Sequence, residues 1–388
     1  MSRHRQSEKA LLDLKRRIQK TYDKTPLQGV GKMLLEMLVG TTAAVEAGVA
    51  APEQTQDAIS FVGGLLESLP QSFADRFAFD AALISAIAEE WSAGGIPMSS
   101  MILPRYSNEW GHLTGVVPIN RTHGHTIDVI LIHGEDDYAS IELLDYPWLC
   151  HELGHNLHFR NESFADGFQV PLSDRVRALR TRSVADRSMA RARSLSQIEM
   201  LTSVWTPTAT QKNWAHEIAA DMVSLWVLGP AFLAAFQFLL EDTRPKPYHV
   251  NNEHPPYDLR ASAIIDAAQR LQWNSNVDEI KGIQRNWRFS EHSAERTNEY
   301  LTLADGELVT AAVTKALATC DATGLPRTTP ERVHELEESL AQGKTPELGS
   351  GLLIAAWIAE SQMSESSFES WQAVVVKELA EAVTLEFQ

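Results

Sequence analysis

The segment Leu149-Cys150-His151-Glu152-Leu153-Gly154-His155 sets two histidines four residues apart, with a glutamate directly after the first. On a helix, side chains four apart share a face, so both imidazoles can reach one metal ion. Imidazole is a common zinc ligand, and a carboxylate next to the first ligand is placed to take a proton from a water attacking a substrate carbonyl. His151 and His155 are therefore read as ligands of one zinc ion per chain, and Glu152 as the general base. Cys150 projects about 100° away from His151 around the helix and is assigned to core packing. His123, His125, His133 and His158 are read as turn or surface residues, and no second metal is expected.

A catalytic zinc keeps three protein ligands and one open position, so a third ligand is required. The extended motif with a third histidine needs Gly and His at the third and sixth residues after His155; those positions hold His158 and Asn161, which rejects it. Further on, Trp214-Ala215-His216-Glu217-Ile218-Ala219-Ala220-Asp221 offers two carboxylates one helical turn apart. They lead into Met222–Leu240, nineteen residues without a formal charge. Acidic side chains at the head of such a stretch are poorly explained as solvent-facing. Glu217 is read as the third ligand, with His216 and Glu162 as alternatives. Asp221 is read as the acceptor of a hydrogen bond from a ligand imidazole.

Taken together, His151-Glu152-x-x-His155 and Glu217-x-x-Ala220-Asp221 resemble the gluzincin peptidases. Glu253-His254-Pro255-Pro256-Tyr257-Asp258-Leu259-Arg260 resembles the His-Pro-Pro-x-x-x-Arg segment that follows the Glu-bearing helix in the CAAX-prenyl-protease and bacterial heat-shock membrane protease family. The chain departs from that family in lacking multiple membrane spans. The ending Leu228-Gly229-Pro230 is also similar to soluble, repressor-cleaving zinc peptidases. The resemblance implies a zincin-like metallopeptidase core, with His254 or Tyr257 donating a hydrogen bond to the tetrahedral oxyanion and Arg260 fixing the loop. It further implies that Thr126–Ile132, the strand before the active helix, is an edge strand that receives an extended peptide. Two other classes use the same motifs. One is a zinc-stabilised regulatory or protein-binding module that does not cleave, marked by four protein ligands; the other is a zinc hydrolase of a non-peptide amide.

The elements that must hold these residues follow from periodicity. Asp145 as N-cap and Pro147 in the first turn start a helix that runs to Arg160. A second helix covers Trp214–Leu228, and Gly229–Pro230 breaks the uncharged stretch and begins a third helix that reaches about Glu241; both are read as buried in a protein core. Short β-branched runs, Gly115–Ile119 and Thr126–Ile132, are the best strands. Upstream, residues 7–75 carry helical apolar spacing, and Phe77–Trp91 continues as a helix ended by Gly94, Gly95 and Pro97. Pro245, Pro247, Pro255 and Pro256 mark an ordered loop. Beyond about Gln272 the chain is helical and acidic, with breaks at Thr323–Pro330 and Gly343–Gly351. The expected class is α+β and predominantly helical: a helical N-terminal region at 1–75, a zincin-like catalytic domain at 76–275 and an acidic helical region at 276–388.

With 388 residues, 44% hydrophobic and 22% charged, the chain has the composition of a folded globular protein. A net charge of -17 argues against nonspecific nucleic-acid binding, which relies on excess Lys and Arg. Positive charge is local: residues 1–24 hold eight Lys or Arg against three acids, and residues 172–200 hold seven arginines. The first is read as a basic helix rather than a secretory signal, since no apolar stretch follows it. The second is read as a solvated helical face, with an acidic partner as the alternative. Two cysteines make no disulfide framework, which suits a reducing cytoplasm. The expected partner is a peptide or protein substrate, with no membrane insertion.

Overall fold

The computed structural model describes residues 12–19, 75–93, 102–107, 111–118, 124–133, 141–160, 172–185, 189–206, 213–243, 246–251, 254–289, 296–304 and 306–386, with single positions at 35, 39, 43 and 60. Residues 12–19 form a helical stretch that buries Leu14 and Ile18, as apolar spacing predicts. Apart from those single positions and Asp75, the rest of the expected N-terminal region, together with Glu162 and His123, lies outside the described residues. So do the side chains of His125, His133 and His158.

The protein is predominantly helical. Helix α1 (Asp75–Ala93) precedes strands β1 (Ile102–Ser107), β2 (Gly111–Pro118) and β3 (Gly124–His133). Helices α2 (Pro147–Arg160), α3 (Ser173–Ala185), α4 (Met189–Trp205), α5 (Trp214–Leu228), α6 (Pro230–Thr243) and α7 (Tyr257–Arg270) follow. The chain closes with α8 (Asp278–Phe289), α9 (Asn298–Leu303), α10 (Gly306–Thr323), α11 (Pro330–Ala341), α12 (Ser350–Gln362) and α13 (Glu365–Glu386).

The sheet corrects one expectation. Its order is β1-β3-β2, with β3 parallel to β1 and antiparallel to β2, so Thr126–Ile132 lies in the central strand and both its edges are occupied. Five of the seven residues of Thr126–Ile132 are apolar, with Asp128 the one charge, a composition that suits a strand with a neighbour on each edge. Asp128–Leu131 is paired on both sides, to β1 and to β2, and so offers neither edge to an added peptide strand.

The uncharged stretch divides where its Gly–Pro pair predicts. Gly229 has φ +54°, a conformation that disfavours any side chain, and a Cβ there would meet the Trp273 ring at 3.1 Å. Pro230 then opens α6, where its missing N–H costs nothing. Every residue of α5 is buried, and α6 buries Phe232 and Phe236. No described helix is long and apolar enough to cross a membrane. A contiguous core extends from Phe79 on α1 to Ala380 on α13 and includes the fully buried Trp91, Trp205 and Trp214.

Candidate metal centre

Two helices bring the chemistry together, and a glycine lets them approach. A Cβ on Gly154 of α2 would stand 3.0 Å from the Ala220 Cα and 3.3 Å from the Val223 Cβ of α5. Such close contact is reached only with small residues at the crossing, and it brings the first turn of α5 beside the histidines. That turn is fixed by Asn213, whose side chain accepts from the N–H groups of Ala215 and His216 and donates to the carbonyls of Ser203 and Thr206. The cap satisfies donors that a helix start leaves open, and it ties α5 to the end of α4. Glu217, in the first turn, also gains from the positive end of the helix dipole.

The three residues expected as ligands converge. His151 Nε2 lies 3.4 Å from Glu217 Oε2, and His155 Nε2 lies 3.2 Å from Glu217 Oε1. One ligating atom from each of His151, His155 and Glu217 falls within 4.8 Å of the others, and all three side chains are buried. Among the described residues, no other set of three His, Cys, Asp or Glu meets this spacing. The buried Glu217 Oε1 makes no hydrogen bond of regular geometry, which is costly for a carboxylate oxygen and fits a site built to hold a metal ion. His216, on the same helix and fully buried, is not in the group.

Behind the triad stands a second layer of charge. Asp221 Oδ1 lies 3.0 Å from His151 Nδ1, so a proton on Nδ1 faces Asp221 and leaves Nε2 for a cation. Arg260, from the first turn of α7, grips the same carboxylate twice, through Nε at 2.9 Å and Nη2 at 2.6 Å. Its guanidinium lies 5.7 Å from the ring centres of both Trp148 and Phe236 and 6.0 Å from that of Tyr257. Trp148 in turn meets the His151 ring edge-on at 5.6 Å. A planar cation among aromatic faces keeps its charge where an ammonium would be harder to desolvate.

Electrostatics agree with this layering. Burial disfavours the Asp221 carboxylate, but Arg260 and His151 outweigh it and hold its pKa below the usual range. Burial also opposes the Glu217 charge, and the His155 and His151 imidazoles hold that pKa well below the ordinary value. The same pairing works in reverse at His151, where burial is overcome by Asp221 and Glu217 and the pKa is pushed up to about 9. Arg260 offsets the Asp221 charge, so the Glu217 charge draws positive charge to the imidazole nitrogens. Protons or a metal ion can supply it.

Glu152 is buried on α2 directly after His151. His254 sits at the rim: its Nε2 is 3.8 Å from Glu217 Oε1, its side chain is 53% exposed, and its backbone N–H donates to Asn251 Oδ1. Tyr257 is half-buried at the start of α7. Cys150 is fully buried, and burial drives its thiol pKa well up, so it offers no thiolate at this site. Two residues close to the ligands in the sequence were not singled out from it. Trp148 could have been, because it stands one turn before His151 on α2. Asn156, next to His155, is fully buried with neither side-chain Oδ1 nor Nδ2 hydrogen bonded; a polar residue inside the apolar pattern of α2 was its only signal. No protein family, curated protein or solved structure matches the chain.

Proposed function

We propose that the chain is a zinc metallopeptidase of the gluzincin type, with a zincin-like α+β core around α2, α5 and the β1-β3-β2 sheet. The observation that carries the reading is the spacing of the donor atoms. Zinc bound tetrahedrally by nitrogen and oxygen at about 2.0–2.1 Å requires ligand atoms about 3.3 Å apart. The two imidazole–carboxylate separations are 3.4 and 3.2 Å. His151, His155 and Glu217 would hold the ion, and three protein ligands would leave a position open for catalysis rather than closing the site as a structural zinc requires.

A zinc ion held there supplies Lewis acidity, polarising the scissile carbonyl and making water a better nucleophile. Glu152 takes the proton from the attacking water on its carboxylate and returns it to the leaving amine nitrogen. His254, at the rim of the triad, or Tyr257 on the same segment would donate a hydrogen bond to the oxyanion. Asp221 orients His151, and Arg260 keeps Asp221 charged while excluding water with Trp148 and Phe236. The fold of α7 therefore contributes to the site through Arg260 at its base as well as through the residues at its rim.

Metal analysis tests the assignment. Purified protein is expected to carry about one zinc per chain, and His151→Ala combined with His155→Ala to carry none. Full zinc occupancy in the double variant would contradict it.

A further inference from the structure

A run of contacts leads from the metal centre to its rim. Trp214, the first residue of α5, stands three residues before Glu217 on the same turn and is fully buried. Its ring meets the Trp205 ring edge-on at 6.0 Å, and its indole N–H donates to the Asn251 carbonyl at 2.7 Å. The Asn251 side-chain Oδ1 in turn accepts from the backbone N–H of His254 at 2.6 Å. An asparagine that accepts from an N–H three residues on fixes a local turn. The run then returns to α5, because His254 Nε2 lies 3.8 Å from Glu217 Oε1.

His254 needs such an anchor. Its side chain is 53% exposed, so packing alone does not hold the imidazole in place. Its backbone is held instead. Pro255 and Pro256 are buried, and a residue that precedes proline is kept out of the helical region. The Asp258 N–H closes the segment onto the Pro247 carbonyl at 3.0 Å. The Trp214–Asn251 bond ties that segment to the turn that carries Glu217.

We propose that Trp214 and Asn251 are positioning residues for His254: they fix its imidazole relative to Glu217, and so set the turnover rate of the site without contributing to metal affinity. The inference rests on the metallopeptidase reading, with His254 as the group that donates to the oxyanion. Such a donor acts on charge that develops only in the transition state, so displacing it lowers kcat and leaves KM little changed.

Two measurements on the full chain test the proposal. The first is NMR of protein carrying isotopically labelled histidine, with the His254 ring signal assigned by its loss in His254→Ala. Asn251→Ala changes an exposed position, and Trp214→Phe removes the indole N–H while keeping a ring. Both are expected to move the His254 signal, and Asn251→Ala to leave zinc affinity at the parental value. Asn251→Asp, whose carboxylate oxygen accepts the same N–H, is expected to restore the signal. The second is steady-state cleavage of a peptide that the parent hydrolyses, taken from a random peptide library. Asn251→Ala is expected to lower kcat by about 10- to 100-fold with KM little changed, and Asn251→Asp to recover most of that loss. In a His254→Ala background, Asn251→Ala should have no further effect. A His254 signal unmoved by both Asn251→Ala and Trp214→Phe would overturn the proposal, as would an equal loss of kcat with and without the His254 imidazole. A parent that cleaves nothing would refute the metallopeptidase reading alone, and the His254 signal would still decide the positioning.

Discussion

The Arg260 guanidinium spans both oxygens of Asp221, and Asp221 faces the imidazole nitrogen of His151 that points away from the metal position. Replacing Arg260 by Met keeps most of its volume and leaves a buried carboxylate with one partner fewer. We expect Arg260→Met to lose about 3–5 kcal/mol of folding stability, read by urea denaturation. It should also weaken zinc binding by about 10- to 100-fold in a chelator competition, because His151 loses its fixed orientation. Asp221→Asn is expected to weaken zinc binding by a similar factor; unchanged affinity in both would remove the second layer from the account. The spacing of His151, Glu152 and His155 could be read directly, because one helix sets all three. Glu217 and Asp221 were legible as acids heading an uncharged stretch. The grip of Arg260 on Asp221 joins residues 39 apart on two helices, and no local pattern records such a contact.

Helices α2 and α5 owe their close approach to Gly154 and Ala220. Gly154→Val would put branched carbon against the Ala220 backbone, where a Cβ alone already lies at 3.0 Å. Overpacking of this kind costs about 1–3 kcal/mol. The variant should be destabilised by that amount, and its zinc affinity should fall as Glu217 is displaced from the histidines; wild-type affinity in a folded Gly154→Val protein would show that the crossing does not set the site. At this scale the helices were well marked, through Asp145, Pro147 and the Gly229–Pro230 break. The strands were located, but their neighbours were not. Pairing order is decided by contacts between segments, so the apolar residues Ile127 and Val129–Ile132 of β3, with Asp128 among them, do not by themselves tell a central strand from an edge.

Across the whole molecule, distant parts of the chain close over the helices that bear the site. The Trp226 indole of α5 donates to the Leu325 carbonyl, Trp205 donates to that of Leu303, and Tyr300 donates to Asp258 at the head of α7. Composition and periodicity predicted helices in this part of the chain, but not which of them would cover α5, since tertiary partners have no signature in helical spacing. The Tyr300 contact links stability to pH. Its pKa is raised in the folded protein above the value of about 10 expected for an unfolded chain. Below that pH the hydroxyl is protonated in both states and the contact is fully present. Above it the unfolded chain loses its proton first, so stability falls as pH rises. Tyr300→Phe should flatten this alkaline fall and cost about 1–3 kcal/mol near neutrality, because Asp258 loses a buried donor. Urea denaturation of the two proteins from about pH 8 to about pH 11 checks both effects.

The most direct test of the central claim is a mass-spectrometric search for new peptide termini after zinc-loaded protein is incubated with a complex peptide library, run beside Glu152→Gln at matched zinc content. The parent is expected to generate zinc-dependent termini. Glu152→Gln should lower their yield by about 10²- to 10⁴-fold while keeping its metal, because an amide cannot take the proton. A parent that produces no new termini, or a Glu152→Gln protein that cleaves at the parental rate, would contradict the account.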